Sequence, residues 1–151
     1  MTYEEGQWQD KVWGRTKLID SRAKGLAVFE LELKKDTYCS FHYHRSRKNR
    51  FLVFKGSVRV VWCIGTQLRY KDLSSDNFSL DIPSMVAHQF QVLEDGMMRE
   101  FYFSDDEKSV DLDDIVRLSE GNKLGLGQSF GPHPEIYNKS GEVLDQRWIT
   151  R

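Results

Sequence analysis

Three of the four histidines of this chain fall in two short segments that are rich in aromatic and β-branched residues. His42 and His44 stand two residues apart in an alternating run that predicts a β-strand, and side chains at positions i and i+2 of a strand project from the same face. His88 lies in a later predicted strand that can bring a third imidazole beside them. Imidazole nitrogens are common ligands of divalent transition metals. The spacing therefore predicts a three-histidine pocket for Zn, Fe, Ni, Co or Mn.

Asn49 is the predicted fourth ligand of this pocket, through its amide oxygen. An amide oxygen carries no charge, so it neutralises none of the charge of a dication, and we expect weaker metal binding than a carboxylate would give. The alternative for all four side chains is a metal-free polar pocket, in which they hydrogen-bond a sugar or water.

Short alternating segments separated by turn residues make up the first two thirds of the chain. They predict nine strands, with turns that include a tight one at Lys55-Gly56. Many short strands with little helix predict an all-β jelly roll or small closed barrel. The predicted strands lie near residues 16–20, 26–33, 38–44, 50–54, 57–64, 67–73, 77–82, 88–93 and 98–103.

One domain is expected over residues 1–151, with its barrel core at about 13–104 and a C-terminal helix and tail at about 111–151. The acidic turn before this segment suits a helix N-terminus and predicts a short helix over Leu112–Leu118. From Gly121 onward the chain is rich in Gly and Pro. This composition predicts an extended tail, either an ordered cover over the barrel or a loose end.

The charge and the apolar pattern argue against several classes of function. The net charge of −1 provides no basic field for nucleic acid or an anionic membrane. No apolar run approaches the ~20 residues that span a bilayer, and the acidic, polar first residues are unlike a signal peptide. Cys39 and Cys63 are predicted to be small buried hydrophobic residues rather than a disulfide. We expect a cytoplasmic protein.

The first histidine segment resembles the first motif of the cupin superfamily. In that motif His-x-His is followed after three or four residues by Glu, and after six more by Gly. Here His42 and His44 are followed by four residues, Asn49, six residues and Gly56. The Gly that commonly opens the motif is Asp36 in this chain. The spacing is kept, and the carboxylate is lost.

The second segment resembles the second cupin motif, which reads Pro-x-Gly, two residues, His, three residues, Asn. Here it reads Pro83-x-Met85, two residues, His88, three residues and Val92. The resemblance covers roughly residues 27–103. It implies the cupin double-stranded β-helix, a jelly-roll barrel, and a homodimer, since cupins often dimerise.

A narrower resemblance involves Trp13-Gly14, the run RKNRFLVFKGSVRV and the later run DDIVRLSE (Asp113–Glu120). In this order they are similar to the C-terminal cupin domain of type II mannose-6-phosphate isomerases. This resemblance implies a metal-dependent aldose–ketose isomerase that acts on a phosphorylated hexose. The metal would hold and polarise the carbonyl, and a base would move a proton between neighbouring carbons through a cis-enediol.

Two side chains are the catalytic candidates under this resemblance. Arg47 occupies the place of an Arg that the family carries two residues before its Glu, and a guanidinium suits a phosphate. Glu100 is a candidate base in place of the carboxylate missing at position 49. Further arginines could assist with the phosphate: Arg50, Arg69 and Arg99.

Two other functions stay open. Three histidines without a carboxylate also match a three-histidine non-haem iron dioxygenase, in which Fe²⁺ leaves positions open for substrate and O₂. A non-catalytic sugar-binding cupin is the third reading. The expected partner in each case is a small molecule, with a sugar phosphate first.

Overall fold

The computed structural model describes residues 3–104 and 110–144, which form eleven β-strands and no helix. This all-β architecture confirms the predicted fold class. In chain order the strands are β1 (Trp8–Lys11), β2 (Gly14–Asp20), β3 (Leu26–Leu33), β4 (Thr37–Tyr38), β5 (Phe41–Tyr43), β6 (Arg47–Ile64), β7 (Gln67–Leu73), β8 (Ser79–Ile82), β9 (His88–Ser104), β10 (Val116–Ser119) and β11 (Asn122–Lys123).

Two long antiparallel strands, β6 and β9, run through the middle of a curled sheet. They pair along almost their whole length, from Arg47 opposite Ser104 to Trp62 opposite His88. The free edge of β9 pairs with β3, β4 and β5, while that of β6 pairs with β7 and β8. One pair of strands therefore carries residues of both cupin-like motifs.

The interior is built by strand alternation, which sends every second side chain to the inner face. In β3 the burial alternates residue by residue over all eight positions. Burial of the apolar inner faces is the main driving force for closing such a sheet. The largest cluster in this core includes Phe29, Phe51, Phe90, Met98 and Tyr102.

The tight turn predicted at Lys55-Gly56 is wrong, because β6 continues through it. The register between β6 and β9 shifts at Val53, Lys55 and Ser57, so the strand bulges rather than reverses. Gly56 adopts a φ of 75° here, and a Cβ built on Gly96 opposite would lie 2.0 Å from the Lys55 carbonyl oxygen. Two glycines thus let two backbones meet closely where the sheet bends.

The helix predicted over Leu112–Leu118 is also wrong. Residues 112 and 113 form a turn, and the chain then enters β10, which pairs with β5. The Asp114 carboxylate accepts hydrogen bonds from the backbone N–H groups of Arg45 and Ser46, at 2.9 Å each. The acidic turn therefore caps another loop instead of a helix, and pairing with β5 overrides the local helical signal.

The described part of the predicted tail is an ordered cover. Ile136 is fully buried against Phe41 and Val61, and the buried Gln89 amide donates to the Tyr137 carbonyl at 2.9 Å. Residues 145–151, the end of the predicted tail, lie outside the described residues. Within the described ranges, no helix is long and apolar enough to cross a bilayer.

Candidate metal centre

The three predicted histidines meet in one buried cluster. His42 on β5 is paired directly with His88 on β9, and His44 follows His42 by two residues. The centroid of the His42 ring lies 4.6 Å from that of the His88 ring and 4.9 Å from that of the His44 ring. One possible ligand atom from each ring falls within 4.8 Å of the others. Strand pairing and strand alternation together therefore build the predicted site.

A main-chain carbonyl holds each imidazole through its Nδ1. The Nδ1 atoms of His42, His44 and His88 lie 2.8, 2.6 and 2.9 Å from the carbonyl oxygens of Ser40, Asp114 and Val86. A ring nitrogen that donates its proton leaves the other nitrogen, Nε2, with its lone pair. These carbonyl contacts favour the tautomer that carries its proton on Nδ1 and could ligate a metal through Nε2. The Ser40 hydroxyl also lies 2.8 Å from His42 Nδ1, where it can donate to or accept from that nitrogen.

His44 Nδ1 has a second neighbour, the Arg47 Nε, at 3.2 Å. Both groups are donors once Nδ1 carries a proton, so the shorter contact with the Asp114 carbonyl sets the tautomer. The Nε2 of His44 then accepts a hydrogen bond from the Asn49 amide nitrogen at 3.0 Å. The contacts of this ring with the Asp114 carbonyl and the Asn49 amide agree with a lone pair on Nε2, whereas the contact with Arg47 does not.

The donor set fits a metal ion. Among the described residues, two buried side-chain atoms have no hydrogen-bond partner: His88 Nε2 and Asn49 Oδ1. Buried polar atoms without partners are rare because each costs free energy. A dication held by the three imidazoles would satisfy His88 Nε2, and it would replace the Asn49 amide nitrogen as the partner of His44 Nε2. No carboxylate joins the cluster within residues 3–104 and 110–144, so the donors are all neutral.

Burial keeps the three imidazoles neutral. Desolvation, with a smaller effect of the Arg47 charge, lowers the pKa of His44 to about 3. Desolvation also lowers the pKa of His88 to about 4. The pKa of His42 falls well below its ordinary value, through burial first and the neighbouring His88 second. Neutral imidazole is the form that binds metals.

A cavity of about 540 Å³ opens beside the cluster, and His42 is the histidine that lines it. Arg47 also lines this cavity and is buried. Its Nη1 donates to the Asp111 carbonyl at 2.7 Å, and its guanidinium carbon lies 3.7 Å from the centroid of the Tyr102 ring. The turn of residues 111–114 thus holds both Arg47 and His44.

The Glu100 carboxyl group is linked to the histidine cluster by hydrogen bonds through Asn49. Its Oε2 accepts from the Asn49 amide nitrogen at 2.9 Å, and the Tyr102 hydroxyl is a second partner. Burial raises the pKa of Glu100 to about 7. The same amide group therefore touches His44 on one side and Glu100 on the other, and Glu100 lines the cavity.

The three arginines proposed as helpers do not reach the cavity. Arg50 forms a 2.7 Å ion pair with Asp81 on the outer face of the sheet. Arg99 lies 3.6 Å from Glu30, also outside, and Arg69 is exposed on β7. Strand alternation explains two of these errors, because Arg50 and Arg99 are each one residue away from an inward-facing site residue.

Two cations that line the cavity were missed in the sequence. Lys11 comes from β1 and Arg117 from β10. Arg117 lies in the run DDIVRLSE, whose resemblance assigns it no role, and no motif marks Lys11. Only the three-dimensional pairing of β10 with β5 could have identified Arg117 as a neighbour of His42.

No family model matches the sequence, and no curated protein is significantly similar to it. The fold does have solved neighbours. The capsular polysaccharide assembling protein CapF from Staphylococcus aureus superposes with a TM-score of 0.62 at 18% identity, over 74% of this chain and 34% of CapF. Oxalate decarboxylase from Bacillus subtilis superposes with a TM-score of 0.62 at 20% identity, over 74% of this chain and 30% of that enzyme.

The chain thus spans about a third of the length of these neighbours. Both are cupin-fold proteins, so the similarity supports the cupin fold that the two motifs implied. It provides no support for the narrower resemblance to mannose-6-phosphate isomerases. The curled antiparallel sheet, the absence of helix from the described residues and these neighbours together give this chain the jelly-roll fold of the cupins.

Proposed function

We propose that this protein is a metal-dependent cupin enzyme of the aldose–ketose isomerase type, which acts on a phosphorylated hexose. The observation that carries the proposal is the orientation of three buried imidazoles, whose Nδ1 atoms are each bound to a backbone carbonyl. A purely structural cluster of neutral histidines would not need one ligand nitrogen from each ring within 4.8 Å of the others. The metal ligands proposed are His42, His44, Asn49 and His88.

The cavity next to the cluster suits a small substrate. Its volume of about 540 Å³ lies within the range of roughly 300–1,000 Å³ that is usual for ligand sites. Such a metal, when bound, supplies Lewis-acid polarisation of a substrate carbonyl. Arg47 lines the same space, and a guanidinium carries five N–H donors, more than its described contacts use.

Glu100 is the proposed acid–base group. Its carboxyl lines the cavity and is one hydrogen-bonded side chain, Asn49, away from the histidines. From this position it would take a proton from one carbon of the substrate and return it to the next. The Tyr102 hydroxyl and the Asn49 amide orient the carboxyl for this transfer.

Metal content is the first test. Elemental analysis of protein purified without an affinity tag should find about one transition metal per chain, and His88→Ala should lose it. His133→Ala is the matched control, because His133 is exposed and should leave the metal in place. Absence of metal after reconstitution with Zn²⁺, Fe²⁺, Ni²⁺ and Mn²⁺ would contradict the proposal.

Turnover is the second test, with mannose 6-phosphate as substrate and ketose formation as the readout. Glu100→Gln should keep the metal and lose activity by roughly 10²- to 10⁴-fold, as is usual for removal of an acid–base group. Arg47→Ala should also lose activity. If Glu100→Gln turns over like the wild type, Glu100 is not the acid–base group.

A three-histidine iron dioxygenase is the second candidate function. It is favoured by one observation, the neutral donor set, since no carboxylate joins the cluster in the described residues. In that case the purified metal would be iron, and oxygen uptake would depend on it. Sugar affinity that a chelator leaves unchanged, without turnover, would instead favour the non-catalytic sugar-binding reading.

A further inference from the structure

A single residue, Asp114, contacts both the ring of His44 and the main chain that follows it. The Asp114 carbonyl oxygen lies 2.6 Å from His44 Nδ1. The Asp114 carboxylate accepts from the backbone N–H groups of Arg45 and Ser46 at 2.9 Å each, and from the Ser46 hydroxyl at 3.0 Å. Hydrogen bonds to a carboxylate are stronger than those between neutral groups. The side chain of Asp114 therefore holds its own carbonyl in place against the ring.

His44 Nδ1 lies between two groups that favour opposite tautomers. The Asp114 carbonyl can only accept, so it favours a proton on Nδ1. The Arg47 Nε can only donate, at 3.2 Å, so it favours a lone pair on Nδ1 and a proton on Nε2. The His44 residue is 2% exposed, which leaves water little access to the ring. The tautomer of His44 therefore depends on which of the two contacts prevails.

The Asn49 amide can serve either tautomer on the other side of the ring. Its nitrogen donates to His44 Nε2 at 3.0 Å and to Glu100 Oε2 at 2.9 Å. Its oxygen has no hydrogen-bond partner among the described residues. A reversed amide would let this oxygen accept a proton from Nε2, although the contact with Glu100 would be lost. A proton on Nε2 would remove the lone pair that a metal needs.

The turn that contains Asp114 is held in place by other contacts as well. The Asp111 carbonyl accepts from Arg47 Nη1 at 2.7 Å. Val116, two residues after Asp114, is paired with Tyr43 across β10 and β5. Removal of the Asp114 side chain should therefore leave the protein folded, while it frees the Asp114 carbonyl to move away from the ring.

We propose that Asp114 is a positioning residue of the metal centre, whose carboxylate binds the loop after His44 so that its carbonyl keeps the His44 proton on Nδ1. The lone pair then stays on Nε2. This inference rests on the proposed function for the metal that Nε2 would bind, but the choice of tautomer needs no metal. It assigns the control of one ligand to a residue outside both cupin-like motifs.

Long-range ¹H–¹⁵N NMR of the imidazoles tests the proposal on the full chain after treatment with a chelator. Wild-type His44 should carry its proton on Nδ1, and Asp114→Ala should shift it to a mixture of both tautomers. The His44 signals are assigned by their loss in His44→Gln. Asp114→Asn is the second variant, because it replaces one acceptor oxygen by an NH₂ group that faces a backbone donor. It should shift the tautomer in the same direction, and it decides the question if Asp114→Ala does not fold.

Asp20→Ala is the matched control. The Asp20 carboxylate also accepts from the N–H of a loop residue, that of Arg22 at 2.8 Å, and its loss should leave the His44 tautomer unchanged. Competition with a fluorescent chelator should show metal binding by Asp114→Ala that is roughly 10- to 100-fold weaker than by the wild type, as is usual for residues that orient a ligand. Asp20→Ala should bind metal like the wild type.

A merely structural role of Asp114 would lower the thermal stability of the metal-free variants and leave the tautomer as in the wild type. That result overturns the proposal, as does a wild-type protein whose His44 carries its proton on Nε2. Unchanged metal affinity in Asp114→Ala, when the wild type binds metal, also overturns it. If the metal centre is wrong instead, the wild type binds no metal while the tautomers of wild type and Asp114→Ala still differ. The two failures therefore give different results.

Discussion

At position 49 an amide stands where the cupin motif places a carboxylate, and its surroundings give this change a specific consequence. The Asn49 amide nitrogen contacts both His44 Nε2 and Glu100 Oε2, while its oxygen has no hydrogen-bond partner among the described residues. The carboxyl group absent at position 49 is therefore present one side chain further away, on Glu100. Asn49 couples that carboxyl to the histidines without bringing its charge to them.

The variant Asn49→Asp tests this arrangement, because it restores a carboxylate with almost no change in volume. Metal affinity should rise by about tenfold or more, since a charged oxygen attracts a dication more strongly than an amide oxygen. The metal-free variant should be less stable than the wild type, because two carboxyl groups would then meet in a buried space. Competition with a fluorescent chelator measures the first effect, and thermal unfolding measures the second.

Asn49→Ala is the control for this prediction, and it should bind metal more weakly than the wild type. Equal metal affinity in all three proteins would mean that position 49 does not contribute a ligand. In that case the three imidazoles alone would hold the ion.

The ligand residues could be predicted from the sequence because they depend on strand periodicity and on one motif spacing. His42 and His44 needed the rule that alternate residues share a face, and His88 needed the spacing of the second motif. The atoms that orient them could not be predicted, since the carbonyls of Ser40, Asp114 and Val86 belong to loops and turns. Loop carbonyls have no side-chain signature in a sequence.

Among the elements, the bulge between β6 and β9 has a strict steric requirement. Gly96→Ala would place a Cβ 2.0 Å from the Lys55 oxygen, so one of the two strands must move. We expect a loss of about 2 kcal/mol or more in the free energy of unfolding. Gly131→Ala is the control, because its nearest neighbour would be a side-chain oxygen at 3.8 Å. Urea unfolding of both variants measures the difference, and equal stability would show that the strands can separate there.

Two positions where the cupin motifs carry Gly retain the backbone geometry that favours Gly. Asp36 and Met85 have φ values of 64° and 67°, in the left-handed region that costs a non-Gly residue roughly 1–2 kcal/mol. The lost identities therefore did not change the local fold. The motif spacing therefore indicated where the backbone adopts a positive φ, although neither residue is Gly.

Met85→Gly should raise the free energy of unfolding, and Met85→Val should lower it. The first removes backbone strain, and the second adds a β-branched side chain where φ is positive. The gain from Gly should be small, about 0.5 kcal/mol, because Gly also increases the entropy of the unfolded chain. The Met85 side chain is 62% exposed, so lost packing should contribute little. Chemical unfolding ranks the three proteins, and a less stable Gly variant would contradict this account.

Two errors in the element predictions, the turn at Lys55-Gly56 and the helix over Leu112–Leu118, have one physical cause, which is that pairing with distant strands outweighed a local signal. Lys55-Gly56 has the composition of a turn, yet both neighbours of the bulge are held in the ladder by β9. Leu112–Leu118 has helical spacing and an acidic start, yet β10 gains hydrogen bonds from β5. Neither partner strand can be inferred from residues close in sequence.

At the scale of the whole molecule, the C-terminal cover is part of the structure that supports the site. Ile136→Ala should lower the free energy of unfolding by about 2–4 kcal/mol, as expected for a fully buried large side chain. Its partners include Phe41, the neighbour of His42 in β5. Leu126→Ala is the control, because Leu126 is fully exposed and should change stability little. Equal loss in both variants would mean that the cover packs loosely.

The homodimer stays a prediction. Light scattering coupled to size-exclusion chromatography measures the mass in solution directly. A mass near 35 kDa, twice the 17.7 kDa of one chain, would confirm it, and a mass near that of one chain would make the protein a monomer.

The depth of the three histidines has a kinetic consequence. His44 and His88 are almost completely buried, and of the three rings His42 lines the cavity. A bound metal ion would therefore exchange through the space that the proposed substrate occupies. A substrate bound in the cavity would close this route, so metal exchange should slow as substrate concentration rises. The metal ion would then dissociate most slowly when substrate is bound.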